Sequence, residues 1–389
     1  MRLSAALLLS ALPSAFAWGA AGHEMVATLA EIHLHPSIKA YISSSLLPPY
    51  AKGHIAPVSS WPDRIRMIPE YRGWSGVLHY ASWDGDHPPD ACAWMGDGGG
   101  DGEGEGGKGG GWHSENDVLH AIANYTSRLE QNPEECVAFP SPWVSFNFLV
   151  HFIGDAHQPM HLTSRERGGN GDPISWEGRR TNMHSLWDGL LIARTLREQG
   201  NYTQPLPSKQ IESALTGRIY DPYLRLLLNE GVRSWYRTGL AEWLDCSASP
   251  SSISLPSLAS STSSQLIFSS PVSPSIEPGE RDWEDTVCPI RWATETHRVT
   301  CELAFPEGYD EHKNPPLEIG GNSKWWRDLQ ADHSLARLLL QAGLRLAATL
   351  NTVLAEPARK LAEENGWVVL LEMEERGRVN FDWVGELEE

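Results

Sequence analysis

The chain has 389 residues, with 31 Lys and Arg against 50 Asp and Glu and a formal net charge of -19 at pH 7. Such an acidic balance argues against tight, charge-driven binding to duplex DNA, which needs many cations on phosphates. It leaves room for a phosphate-handling enzyme whose positive charge is carried by metal ions.

The first segment, 1–17, joins Arg2, an apolar run from Leu3 to Leu12 and the small-x-small triplet Ala15-Phe16-Ala17. The run is too short to span a bilayer, and the pattern predicts a secretory signal peptide cut after Ala17. Trp18 then becomes the first residue. The protein is expected to be secreted or vacuolar, without stable membrane association. Two sequons, Asn124-Tyr-Thr and Asn201-Tyr-Thr, fit that route as glycosylation sites. Five cysteines, Cys92, Cys136, Cys246, Cys288 and Cys301, suit two disulfides and an odd thiol in an oxidising compartment. They form no CxxC pair, so a cysteine zinc site is not expected.

Downstream, the periodic stretches are mostly helical. They are GHEMVATLAEIHL from Gly22, DVLHAIANYTSRL from Asp117, VSFNFLVHFIGDAHQPMHL from Val144 and HSLWDGLLIARTLRE from His184. YLRLLLNEGVRSWY from Tyr223 and HSLARLLLQAGLRLAATLNTVLAE from His333 continue the pattern. Clean two-residue alternation is scarce. The reading is a mainly α, single multi-helix domain over 18–355. Two low-complexity insertions interrupt it, a glycine-rich one at 95–111 and a Ser/Pro-rich one at 247–280. The tail, 356–389, carries ten Asp and Glu against four Lys and Arg and has no assigned role.

The densest chemistry lies in HFIGDAHQPMHL. His151 and Asp155 are four residues apart and share one helical face. Gly154 between them allows close approach. His161 follows after Gln158-Pro159, which breaks the helix, and His157 is out of phase with the pair. His184 and Asp188 repeat the spacing, and Asp63, Arg66 and His79 lie upstream. A lone histidine on an apolar face is usually a satisfied core residue. Two such pairs are different, because burying so many polar groups without a shared partner costs several kcal/mol. Imidazole and carboxylate converging from facing helices build a zinc or di-iron site.

The array Trp18-x4-His23, then SWPD-x2-R, LHY, HFIGDAHQPMH and NMHSLWD, resembles the fungal and plant single-strand-specific zinc nucleases, or 3′-nucleotidases. Bacterial zinc phospholipases C are more distant relatives on the same scaffold. The resemblance implies three zinc ions. Asp63, His79, His151 and Asp155 would hold one. The α-amino nitrogen and carbonyl oxygen of Trp18, with His23 and Asp155, would hold its neighbour. His161, His184 and Asp188 would hold the third. It further implies in-line attack of an activated water on phosphorus, oriented by Asp63, with Arg66 neutralising charge on the phosphoryl group. The substrates would be single-stranded DNA and RNA and 3′-nucleotides, and the enzyme a monomer. Tyr80 matches a base-stacking position and Asn182 a residue near phosphate or base. Ser82 stands where relatives commonly carry an aspartate. Cys92 and Cys301 fall where relatives place a long-range disulfide. Cys246 and Cys288 flank the Ser/Pro-rich insertion and would close it off, leaving Cys136 free.

Three other readings compete. A zinc phospholipase C would use the same scaffold, but Asp188 and Arg66 favour the nuclease branch. A catalytically silent zinc-binding glycoprotein could keep the ligands for stability and lose turnover, but all nine ligand positions and Arg66 are present, so nothing in the sequence favours decay. An adhesion module rests on the composition of the insertions alone.

Overall fold

The computed structural model describes residues 18–94, 116–131, 141–246, 287–365, 379 and 381. The expected signal segment, both insertions and Cys136 lie outside the described residues. The fold is mainly helical, as the periodicity predicts, and helix Pro142–Asp155 is at its centre. Every residue from Val144 to Asp155 is buried. A helix that is enclosed all round belongs in a core. Pro142 occupies its first turn, where a missing N–H costs nothing. It stops before Pro159, which drives Gln158 to an extended backbone (φ -100°, ψ 116°). The chain restarts as a tight turn, Pro159–Leu162.

The N-terminal helix Ala20–Ile32 packs on the long helix Ser334–Val353. Gly343 makes this crossing possible. A Cβ there would lie 2.5 Å from the Cβ of Leu29, so only glycine lets the two backbones come so close. After a bend of 55° the chain continues as helix Ala355–Glu364, which packs on helix Pro36–Tyr41. The first part of the acidic tail is therefore folded against the body. Among the described residues no single helix is long and apolar enough to cross a membrane.

Two features were not legible as periodicity. The stretch from His184 is not one helix. It runs as a short turn, Met183–Ser185, a π-helical turn, Leu186–Leu190, and helix Leu191–Glu198. A hairpin precedes it, with Pro173–Trp176 antiparallel to Arg179–Asn182. Its turn residues Glu177 (φ 51°) and Gly178 (φ 76°) are both left-handed, the two-residue form that matches strand twist. Each strand is four residues long, too short for alternation to register. Cys92 is joined to Cys301 and Cys246 to Cys288, the two expected pairs.

Candidate metal centre

His151 and Asp155 face the same way from the central helix. His23, from the N-terminal helix, stacks on the His151 ring with centroids 3.8 Å apart and planes 18° from parallel. Gly154 makes room for it, since a Cβ there would sit 2.7 Å from His23 Nδ1. The short helix Trp61–Ile65 supplies Asp63, and the turn Gly76–His79 supplies His79. Asp155 is the hub. Its Oδ2 lies 3.0 Å from His79 Nδ1 and 3.3 Å from His151 Nε2, and its Oδ1 lies 3.3 Å from His23 Nε2. Asp63 approaches His79 and His151 at 3.9 Å each.

The second pair stands beside this cluster. His184 Nε2 is 3.2 Å from Asp188 Oδ2, and His161 Nε2 is 3.9 Å from Asp188 Oδ1. The His161 and His184 rings are nearly parallel, with centroids 5.3 Å apart. Trp18 is fully buried, and the next residue, Gly19, donates its N–H to the Asp188 carbonyl at 2.6 Å. The start of the described chain is thereby fixed beside the second pair.

These residues fit metal ions on four counts. The eight expected side-chain ligands fall into three groups, and the donor atoms of each group lie within 4.8 Å of one another. Three imidazoles are also held by their Nδ1 atoms: His151 to the Ser59 carbonyl at 2.7 Å, His161 to the His79 carbonyl at 2.7 Å and His184 to the Gly168 carbonyl at 2.6 Å. Each carbonyl requires a proton on Nδ1, which leaves the Nε2 lone pair facing the cluster. Third, buried polar atoms are left without hydrogen-bond partners, among them Asp63 Oδ1, Asp155 Oδ1, His79 Nε2 and His23 Nε2. Each such atom costs about 1–3 kcal/mol unless something pairs with it. Finally, the protonation balance is skewed. Burial, followed by neighbouring imidazoles, holds His23 and His79 well below the ordinary histidine range. Burial, followed by the Asp63 carboxylate, pushes Asp155 well above the carboxylate range. Burial raises Asp188 too, with Gln158 pulling the other way. Neutral imidazoles around crowded carboxylates are a donor set that a divalent cation would complete.

A fourth group, Asp86, His297 and Cys301, does not share this character. Cys301 is spent in its disulfide, and Asp86 already accepts from His297 at 2.9 Å and Thr163 at 2.6 Å. His157 points away from the cluster, with its Nδ1 on the Ile153 carbonyl and its Nε2 on Arg345.

A cleft of about 470 Å³ opens over these groups, with His79, His161 and His184 in its wall. Arg66 and Tyr80 line it as well. Arg66 Nη1 is 4.0 Å from Asp63 Oδ1. The Tyr80 backbone is pinned on both sides. Its carbonyl accepts from Val118 N–H at 3.2 Å, and Ala81 N–H donates to the His161 carbonyl at 2.9 Å. Its side chain is nevertheless 47% exposed. Ser82 is in the wall too. Asn182 is not. Its Oδ1 accepts from Ser185 N–H at 2.8 Å, so it caps the turn that presents His184. Arg167 and Asn170 are also in the wall. They sit on a loop in which Glu166, Arg167, Gly168 and Gly169 all have positive φ. In the sequence this loop shows as the triplet Gly168-Gly169-Asn170, which is similar to a turn of the resembled nucleases. Asn124 and Asn201 are both exposed.

The chain matches the S1/P1 Nuclease family model over residues 18–355. It is similar to Endonuclease 4 of Arabidopsis thaliana, 27% identical over 87% of this chain and 90% of that protein. It is also similar to Nuclease P1 of Penicillium citrinum, 32% identical over 44% of this chain and 57% of that one. Nuclease S1 of Aspergillus oryzae is 31% identical over 44% of this chain and 54% of its own length. With a convergent His/Asp cluster and a family match across almost all of the described residues, the chain belongs to the S1/P1 nuclease family.

Proposed function

We propose that this nuclease is a three-zinc endonuclease of single-stranded DNA and RNA that also removes 3′-phosphates from nucleotides. The observation that carries the reading is the convergence of eight His and Asp side chains from distant segments into three groups beside one cleft. Asp63, His79, His151 and Asp155 would hold one ion. The amine and carbonyl of Trp18, with His23 and Asp155, would hold the second. His161, His184 and Asp188 would hold the third. Zinc bound there supplies Lewis acidity and an activated water.

The chain's own groups do the rest. The Asp63 carboxylate orients the attacking water and takes up its proton. Arg66 neutralises negative charge that gathers on the phosphoryl oxygens during in-line attack. Tyr80 offers an exposed ring to a base, and only an unpaired base can stack on it. Products would carry 5′-phosphate and 3′-hydroxyl ends. The protein would act as a secreted or vacuolar monomer, glycosylated at Asn124 and Asn201.

The test combines metal analysis, N-terminal sequencing and cleavage assays on purified protein with single-stranded DNA, duplex DNA, 3′-AMP and lecithin. About three zinc ions per chain, Trp18 first, and chelator-sensitive cleavage of the single strand and 3′-AMP are expected. Cleavage of lecithin instead, or three zinc ions without cleavage, would overturn the substrate assignment.

A further inference from the structure

Gln158 reads in the sequence as part of a helix break, yet its side chain is fully buried against the group of His161, His184 and Asp188. Its Oε1 accepts the Met160 N–H at 2.5 Å, and its Nε2 donates to Asp188 Oδ1 at 2.5 Å. Shape alone would allow the amide either way round. Chemistry allows one. The Met160 N–H can only donate, so oxygen must face it, and the NH₂ group is left facing the carboxylate.

The turn that carries this amide is itself fastened. Thr300 Oγ1 donates to the Pro159 carbonyl at 2.9 Å, tying the turn to helix Pro289–Glu302. His161 leaves from the same turn toward the same carboxylate oxygen. The other oxygen, Oδ2, faces His184. Asp188 is thus gripped by a neutral donor on one edge, leaving its remaining lone pairs toward the two imidazoles.

We propose that Gln158 is a positioning residue that holds the Asp188 carboxylate in the one orientation in which it can share a cation with His161 and His184. The proposal rests on the zinc reading of that group and deepens it. Nothing in the hydrolysis itself uses Gln158. Groups of this kind behind a metal ligand typically govern affinity by about 10–100-fold.

Gln158→Glu keeps the shape but removes the donor. One of its oxygens must take the Met160 N–H, and the other then opposes Asp188 Oδ1. Gln158→Met removes the donor without adding charge and serves where the first variant fails to fold. The experiment measures zinc content and zinc release to a competing chelator for the full chain, with Asp188→Ala as reference. Both variants are expected to lose one ion of the wild-type set at about 10–100-fold lower chelator. It should be the ion lost in Asp188→Ala, with the others retained and the melting transition intact. Release curves for Gln158→Met that superimpose on wild type, or equal weakening of every ion, would overturn the role. Wild-type protein without zinc would instead remove the zinc reading beneath it.

Discussion

The backbone carbonyl of Asp188 accepts the N–H of Gly19 at 2.6 Å, so the residue whose carboxylate is proposed as a metal ligand also fixes the peptide next to Trp18. The first described residue and a ligand 170 positions later are locked together in space. If Trp18 is the mature terminus, its free amine is delivered to the cluster by this bond and by His23, in the first turn of the helix that follows.

Processing should therefore complete the site. A chain carrying residues before Trp18 has an amide there, which has no lone pair to give. Such a variant is expected to lose one bound ion and about 100-fold or more in rate on single-stranded DNA, because the paired-metal arrangement is incomplete. Metal content and activity of the extended and trimmed proteins, compared side by side, check this. Equal values in the two would refute it.

Arg66 is close enough to Asp63, at 4.0 Å, to act on the same phosphoryl group. Arg66→Ala should reduce kcat/KM on single-stranded DNA by about 100–1,000-fold, the usual loss when a donor to the developing charge is removed. Zinc content should be unchanged. Arg66→Lys should recover part of the rate, since it restores charge without the planar fork. A loss of only a few-fold in Arg66→Ala would leave the residue as an ordinary ion-pair partner.

Tyr80 should act on binding. Stacking of a base on an aromatic ring contributes about 1–3 kcal/mol. Tyr80→Ala is therefore expected to raise KM for single strands by roughly 5–150-fold, with little change in zinc content. Tyr80→Phe should stay near wild type, because the ring is kept. Steady-state kinetics on short oligonucleotides separate the two parameters. A fall confined to kcat would contradict the stacking role.

Much of this site could be read from spacing alone. His151–Asp155 and His184–Asp188 are visible because a helix turns the interval of four into a shared face. Their meeting with His23, Asp63 and His79 depends on tertiary packing, which the resemblance supplied and periodicity did not. The π-helical turn at Leu186–Leu190 was invisible, since its hydrophobic pattern is that of an α-helix. Gln158 was legible only as a helix breaker, because hydrogen bonding by a side chain leaves no periodic trace. Arg165 is a similar case. It is 1% exposed and gathers Asp172, Glu311, His87 and the Pro88 carbonyl behind the cleft loop. A charged residue between polar neighbours looks like surface in a sequence. Asn182 matched a substrate-site pattern, whereas its nearest partner is the backbone of its own turn.

Metal removal should loosen the fold as well as stop the reaction. The proposed ions tie together the N-terminal helix, the central helix, the short helix Trp61–Ile65 and the turns that carry His79, His161, His184 and Asp188, and ligands that bind only the folded state stabilise it. Chelation is expected to lower the melting temperature by several degrees or more, with recovery on adding zinc. Unchanged melting of a demonstrably zinc-free chain would show that the cluster is held by packing alone.

Acid should act on a buried histidine outside the proposed metal groups. Burial lowers the His33 imidazole to about 4, against the pull of its bond to the Leu29 carbonyl at 2.7 Å. Its folded value is depressed below the unfolded one, so between the two the unfolded chain binds more protons. The stability it contributes is present above pH ~6.5 and is lost as pH falls toward 4. By pH 5 the loss should be roughly 2 kcal/mol. The ring packs edge-on against Phe381, 5.5 Å between centroids, so His33→Phe keeps an aromatic ring there without a titrating group. Denaturant unfolding at pH 7 and pH 5 should show a smaller acid loss in His33→Phe than in wild type, by about that amount. Equal losses in both proteins would place the acid sensitivity elsewhere, with the histidines of the proposed metal groups the first to test.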